Sequence, residues 1–222
     1  MSRTTGAPPG AGRDGSRDPS TDVVRLLRDL VPQRPRFLRG PRIPDGVRSP
    51  VIVTERLRLR PHRLADATAW YELQSDPAVV EHLSWPLRTR AESFVHLLNR
   101  THHTRLEQRD DFLALAVLLD DRLIGDASLH LRSLDPAARR VEVGWVIGPR
   151  WQGKGYASEA GLAMLGLAFD ELGASVAEAH MTPGNVASKA LAERLGFEEI
   201  ANDGTTRVLA IDAERYRALR GG

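Results

Sequence analysis

A chain of 222 residues with 41% hydrophobic content can bury a sizeable core, as one domain with an appendage or at most two small domains. It has no cysteine, which excludes disulfides, thiolate metal sites and cysteine nucleophiles, and no apolar run reaches the 18 residues of a membrane span. The net charge of +2 is unevenly placed: residues 1–50 hold ten Arg against five Asp, a surplus of +5 that leaves −3 for the remainder. That basic stretch reads as a solvated tail rather than a nucleic-acid surface.

Residues 1–50 are expected to form an Arg/Pro/Gly-rich leader and linker. Positions 1–22 have almost no apolar content and predict disorder. Asp22 to Leu30 puts Val23, Leu26, Leu27 and Leu30 on one face of a short helix, over 22–30. Five prolines between 32 and 50 predict an extended linker. The compact unit is expected over 51–222. Thr54 to Arg60 alternates as a strand, Leu64 to Gln74 reads as a helix, and Asp76-Pro77 breaks it. Ala91 to Gln108 reads as a second helix, with His102-His103 solvated. Phe112 to Leu119 and Arg122 to Leu131 are two strands turned at Asp120-Asp121. Arg139 to Ile147 is a further strand. A glycine loop then opens a helix that reaches Leu172. Ser175 to Met181 is a strand, Asn185 to Leu195 a helix, and 197–200 with 206–211 a final strand pair. Strands and helices in this order mean a mixed sheet with helices on its faces.

The loop Arg150-Trp151-Gln152-Gly153-Lys154-Gly155-Tyr156-Ala157 is the most informative stretch. A strand, a tight glycine loop and a helix start form a device for holding an anion, because the first N–H groups of a helix lack intrahelical partners. Glycines at 153 and 155 remove side chains that would keep a phosphate away. The loop lacks the Gly-Lys-Ser/Thr of a Walker A site and the Gly-x-Gly-x-x-Gly of a dinucleotide fold.

Four stretches agree in order: Val141-Glu142-Val143-Gly144-Trp145-Val146-Ile147, then Arg150 to Glu159, then Asn185-Val186-Ala187-Ser188, then Arg194-Leu195-Gly196-Phe197-Glu198. Together they resemble the GNAT superfamily of acetyl-CoA-dependent N-acetyltransferases. The opening T-E-R-L-R-L-R-P and the run Q-G-K-G-Y-A-S-E-A look like its RimJ/RimL-type branch, which acetylates ribosomal-protein N-termini. The resemblance covers residues 52 to 212. It implies an α+β fold: a mixed seven-stranded sheet flanked by about four helices, two parallel strands splaying at the acetyl-CoA site.

The resemblance also implies roles. Backbone amides from Gln152 to Ala157 (Gln152, Gly153, Lys154, Gly155, Tyr156 and Ala157) would take the pyrophosphate, with Arg150 and Lys154 adding charge. The pantetheine arm would pair with backbone at Trp145, Val146 and Ile147, and Asn185 and Ser188 would touch it. Glu142 is the candidate general base; a carboxylate in an apolar strand is costly unless it meets water, a partner or a substrate amine. Its alternative reading is a surface glutamate paired with Arg139 or Arg140. Ser188 is the candidate acid, since no tyrosine follows it. Asn185 to Ser188 also reads as a helix N-cap. His82 and Trp85 are candidate acceptor contacts. No metal site is expected. The expected partner is an amine, either a protein N-terminus or a small molecule such as an aminoglycoside; a non-catalytic acetyl-CoA-binding module is the third reading. A homodimer stays open, membrane association is not expected, and the composition fits a cytoplasmic chain.

Overall fold

The computed structural model describes residues 38–81 and 87–221. Residues 1–37 of the predicted leader, including its helix over 22–30, and His82 and Trp85 lie outside those residues. Ten strands run in chain order: β1 (Val47–Arg48), β2 (Ile52–Val53), β3 (Arg58–Pro61), β4 (Arg105–Leu106), β5 (Phe112–Leu119), β6 (Arg122–Leu131), β7 (Arg140–Ile147), β8 (Val176–Met181), β9 (Glu198–Asn202) and β10 (Arg207–Asp212). The helices are α1 (Ala67–Gln74), α2 (Pro77–Val80), α3 (Arg90–His102), α4 (Tyr156–Gly166), α5 (Val186–Arg194) and α6 (Ala213–Gly221). Eight strands form one sheet in the order β2-β3-β5-β6-β7-β8-β10-β9, and β1 pairs separately with β4. The sheet has one strand more than the seven expected, because Ile52–Val53 folds back on β3 as an edge.

The centre of the sheet is β5 and β6, whose inner residues are buried on both faces. Their tight turn places Asp120 at φ 47° and Asp121 at φ 63°, the left-handed pair that a two-residue hairpin requires and that Asp tolerates. One face packs an apolar core against α4, α5 and α6, with Met164, Leu165, Leu195 and Phe197 meeting Val141, Val143 and Ile147. The other face, under α1 to α3, is smaller and mixed. Trp70, Leu73, Val79 and Leu97 pack there on Ala116, Leu118 and Leu123.

Polar groups are buried beside that second core. His62 Nε2 lies 2.7 Å from Asp126 Oδ2, and Arg100 Nη1 lies 3.2 Å from Asp126 Oδ1. Burial opposes the charge of Asp126, yet Arg100 and His62 hold its carboxyl below the usual range. Trp70 packs between the rings of His62 (4.9 Å) and His96 (5.5 Å). His103, expected to be solvated, is instead buried: its ring stacks 3.8 Å from Phe112, which stacks 4.9 Å from His130, and its Nδ1 meets the Asn99 carbonyl. The α3 helix ends at His102 rather than Gln108, because Arg105–Leu106 leaves it to pair with β1.

That pairing also shows how chain upstream of Val51 is held. Ile43 is buried and its N–H donates to the Glu107 carbonyl, Gln108 donates to the Gly40 carbonyl, and Arg39 pairs with Asp111 at 2.9 Å. The proline-rich stretch is therefore packed onto the domain from residue 39 onward.

Candidate active site

Two parallel strands define the site. Between β7 and β8 only Arg140↔Val176, Val141↔Ala177 and Glu142↔Glu178 are paired. Beyond them β8 continues along β10, while β7 continues along β6 without β8. The sheet opens between Gly144 and His180, leaving backbone of β7 without a neighbour on that side. A cleft of about 650 Å³ borders this opening. Trp145, Val146 and Ile147 form one wall, the glycine loop a second, and Asn185, Ser188 and Arg194 of α5 a third.

The loop owes its shape to two left-handed glycines, Gly153 (φ 73°) and Gly155 (φ 82°), the second of which caps α4. The helix ladder starts with the Glu159 N–H on the Gly155 carbonyl, so the N–H groups of Tyr156, Ala157 and Ser158 precede it. Such groups, at the positive end of a helix dipole, can receive an anion. Gln152 is turned inward: its backbone N–H meets the Pro149 carbonyl and its side-chain amide the Ile147 carbonyl. The amides available to an anion therefore begin after Gln152.

The charges differ from the expected arrangement. Arg150 lines a separate cavity of about 600 Å³ with Glu72, Asp76 and Arg122, and the Lys154 ammonium lies 5.5 Å from the Trp151 ring, off the cleft wall. The cation on the wall is Arg194, spaced i, i+3, i+6, i+9 with Asn185, Ser188 and Leu191. Arg56 braces the loop from outside. Its Nη1 donates to the Lys154 carbonyl at 3.0 Å, its backbone N–H and Nε donate to Glu159, and its guanidinium lies 4.8 Å from the Tyr156 ring centre. Thr54 adds a 2.6 Å bond to the same carboxylate.

Asn185 caps α5, its Oδ1 accepting the Ser188 N–H at 3.0 Å, and both side chains also line the cleft. Glu142 stands at the last position where β7 pairs with β8. Its surroundings are not apolar: Arg132 holds Oε2 with Nε at 3.0 Å and Nη2 at 2.7 Å. Neither Arg139 nor Arg140 is its partner; Arg139 binds the Leu172 carbonyl and Arg140 binds Glu178. Sequence reasoning missed Arg194, the α2 residues Ala78 and Val79 that line the cleft, and the pair Glu178–His180. The alternation Glu-x-His in a strand was the available signal for that pair. Among the described residues no His, Asp and Glu group is arranged for a metal ion.

Residues 56–198 fit the sequence profile of the Acetyltransferase (GNAT) domain. The chain is 30% identical over 150 residues to the uncharacterized N-acetyltransferase YnaD of Bacillus subtilis, covering 66% of this chain and 81% of that one. It is 28% identical over 148 residues to the uncharacterized N-acetyltransferase p20 of Bacillus licheniformis, covering 67% and 82%. RimL, described as a ribosomal L7/L12 alpha-N-protein acetyltransferase in complex with coenzyme A, superposes with a TM-score of 0.60 at 16% identity, covering 74% of this chain and 98% of that one. At that identity the likeness shows the fold alone.

Proposed function

The chain belongs to the GNAT acetyltransferases, and from that membership and the shape of the cleft we propose that it acetylates the N-terminal amine of a protein or peptide. The observation that carries this reading is the parallel β7–β8 pair, which stops after three residues beside a helix capped by a left-handed glycine. The residues present fit acetyl-CoA. The loop's uncommitted amides and Arg194 suit a pyrophosphate, the unpaired edge of β7 suits an amide-bearing arm, and Asn185 and Ser188 reach the same space. When bound, acetyl-CoA supplies an activated acetyl thioester.

The chain's own groups then handle protons. Glu142, 24% exposed and held by Arg132, is the proposed base that draws a proton from the incoming ammonium through water. The Ser188 hydroxyl, on the cleft wall, is the proposed donor to the departing sulfur. A peptide acceptor is favoured over a polycationic small molecule because Glu142 and Glu178 each already carry an arginine. A site for polyamines or aminoglycosides needs carboxylates free to bind ammonium groups. The reading places the enzyme in the cytoplasm, where an acetyl-CoA pool and nascent N-termini meet.

CoA release by the purified chain against a panel of N-terminal peptides and free amines tests this. We expect kcat/KM for the best peptide to exceed that for any amine at least about tenfold, about 1.4 kcal/mol. We also expect Glu142→Gln to lose about 100-fold in rate. Binding of acetyl-CoA with no turnover of any acceptor refutes the enzyme reading, and an aminoglycoside outperforming every peptide refutes the substrate class.

A further inference from the structure

We propose that His180, oriented by Glu178, is a second proton acceptor at the opening between β7 and β8, and takes the proton released as the new N–C bond forms. The proposal rests on the acetyl-transfer reading above. It starts from register. Glu142 and Glu178 are paired across parallel strands and share a face, so Gly144 and His180, two residues further on, share that face too. They flank the opening one residue beyond Val143 and Ala179, the first position where the strands are no longer joined. Gly144 contributes no side chain, so nothing on β7 stands between the opening and the imidazole.

His180 is tied on one side only. Its Nε2 lies 2.9 Å from Glu178 Oε2. Glu178 is buried, and although burial opposes its charge, its bonds to Arg140 and His180 hold its carboxyl below the usual range. An ionised carboxylate only accepts hydrogen bonds, so the Nε2–H donates and the lone pair is left on Nδ1. The side chain is 36% exposed, and no described residue bonds Nδ1. A buried carboxylate that fixes one imidazole nitrogen and leaves the other open is the arrangement of a histidine base. The charged groups around the pair are Arg140 and Glu142 on β7; on β10 the register partner of His180 is the neutral Val208.

An acceptor ammonium sheds two protons during transfer. Glu142 is assigned the one lost before attack. The second leaves as the nitrogen bonds to the acetyl carbon and the carbon–sulfur bond breaks, its electron pair departing on sulfur. That proton moves from nitrogen to Nδ1 of His180 and then to solvent, while the sulfur is protonated from Ser188 or water. The atoms and charges balance without a further reactant.

Two measurements test the assignment. Imidazole 15N NMR of the wild-type chain without ligand should show His180 protonated on Nε2 at neutral pH, with Glu178→Gln removing that preference. A His180 protonated on Nδ1 overturns the geometry. Kinetics with the best peptide of the panel form the second arm, using His180→Gln, whose amide still donates to Glu178 and preserves packing. We expect kcat to fall about 100-fold, while the KM for acetyl-CoA stays within twofold. A His180→Gln enzyme within twofold of wild type at every pH overturns the role of His180 and leaves acetyl transfer standing. A wild type that binds acetyl-CoA but acetylates no amine overturns both.

Discussion

The two sides of the opening are built from different materials. The cleft side is made of backbone: two left-handed glycines, the first amides of α4 and the unpaired edge of β7. The opposite side, under α1 to α3 and along β6, β7 and β8, is made of side chains: the buried His62, Arg100, Asp126 and Glu178, and the half-buried His130 and Glu142. A backbone site is specified by where the chain turns. A side-chain site is specified by partners far apart in sequence, and its groups depend on each other for the charge state they keep. Damage to the first should cost ligand affinity, and damage to the second should cost stability and pH tolerance.

The largest expected effect lies on the side-chain half. Asp126→Ala leaves Arg100 and His62 enclosed without their acceptor and should cost about 3–5 kcal/mol of stability, measured by urea denaturation. A loss under about 1 kcal/mol would mean that the trio is solvated in solution. On the backbone half, Gly155→Glu forces a side chain into φ 82° with its Cβ 3.2 Å from Arg56 Nη2, and sets a negative charge in the anion cradle. Acetyl-CoA affinity by calorimetry should fall about 100-fold while the far-ultraviolet circular dichroism is kept. Unchanged affinity would remove the loop from the donor site.

The smallest effect is a slope. Burial pushes the His130 imidazole down to about 4, against the pull of Glu142, and lowers His96 and His103 as well. Unfolded histidine titrates near 6.5, so between 6.5 and about 4 the unfolded chain binds protons that the folded chain refuses. Stability is therefore full above pH 6.5 and declines on acidification, each such group adding about 1.4 kcal/mol per pH unit. His130→Gln should reduce that slope by one histidine's share between pH 6 and 4.5, read from urea midpoints. An identical slope in the variant would show that His130 is solvated.

The same contrast decides what could be read from residues alone. The mixed sheet, the order of its strands and the loop from Gly153 to Ala157 follow from local signals: alternation, apolar runs and glycines where a turn needs them. The charged contacts do not follow. Arg150 and Lys154 look like phosphate ligands by position, yet Arg150 lines a different cavity and the Lys154 ammonium lies by the Trp151 ring. Arg194 enters the sequence pattern only as the start of the run to Glu198, and the packing of α5 beside the loop makes it part of the wall. Arg132 reaches Glu142 from the neighbouring strand, a pairing fixed by register and not by spacing. Helix α6 left almost no pattern, since a single buried residue, Tyr216, stacked 4.7 Å from Phe169, anchors it. The docking of Ile43 was hidden by prolines that suggested free chain, and the two residues of Ile52–Val53 are too few to show alternation.

The brace around Glu159 has a kinetic consequence. Thr54 and Glu159 are 105 positions apart, and Arg56 and Glu159 are 103 apart. Joining such distant pieces closes a long loop, whose entropic cost must be met before either contact forms. The brace therefore forms only once residues 54–56 and 159 have been brought together. A chain still emerging during synthesis holds residues 54–56 long before it holds residue 159, so the brace around the loop cannot close until residue 159 has been made. Stopped-flow refolding should show tryptophan burial preceding the recovery of acetyl-CoA binding, with both rising together once Thr54 is replaced by Ala only if the brace is dispensable.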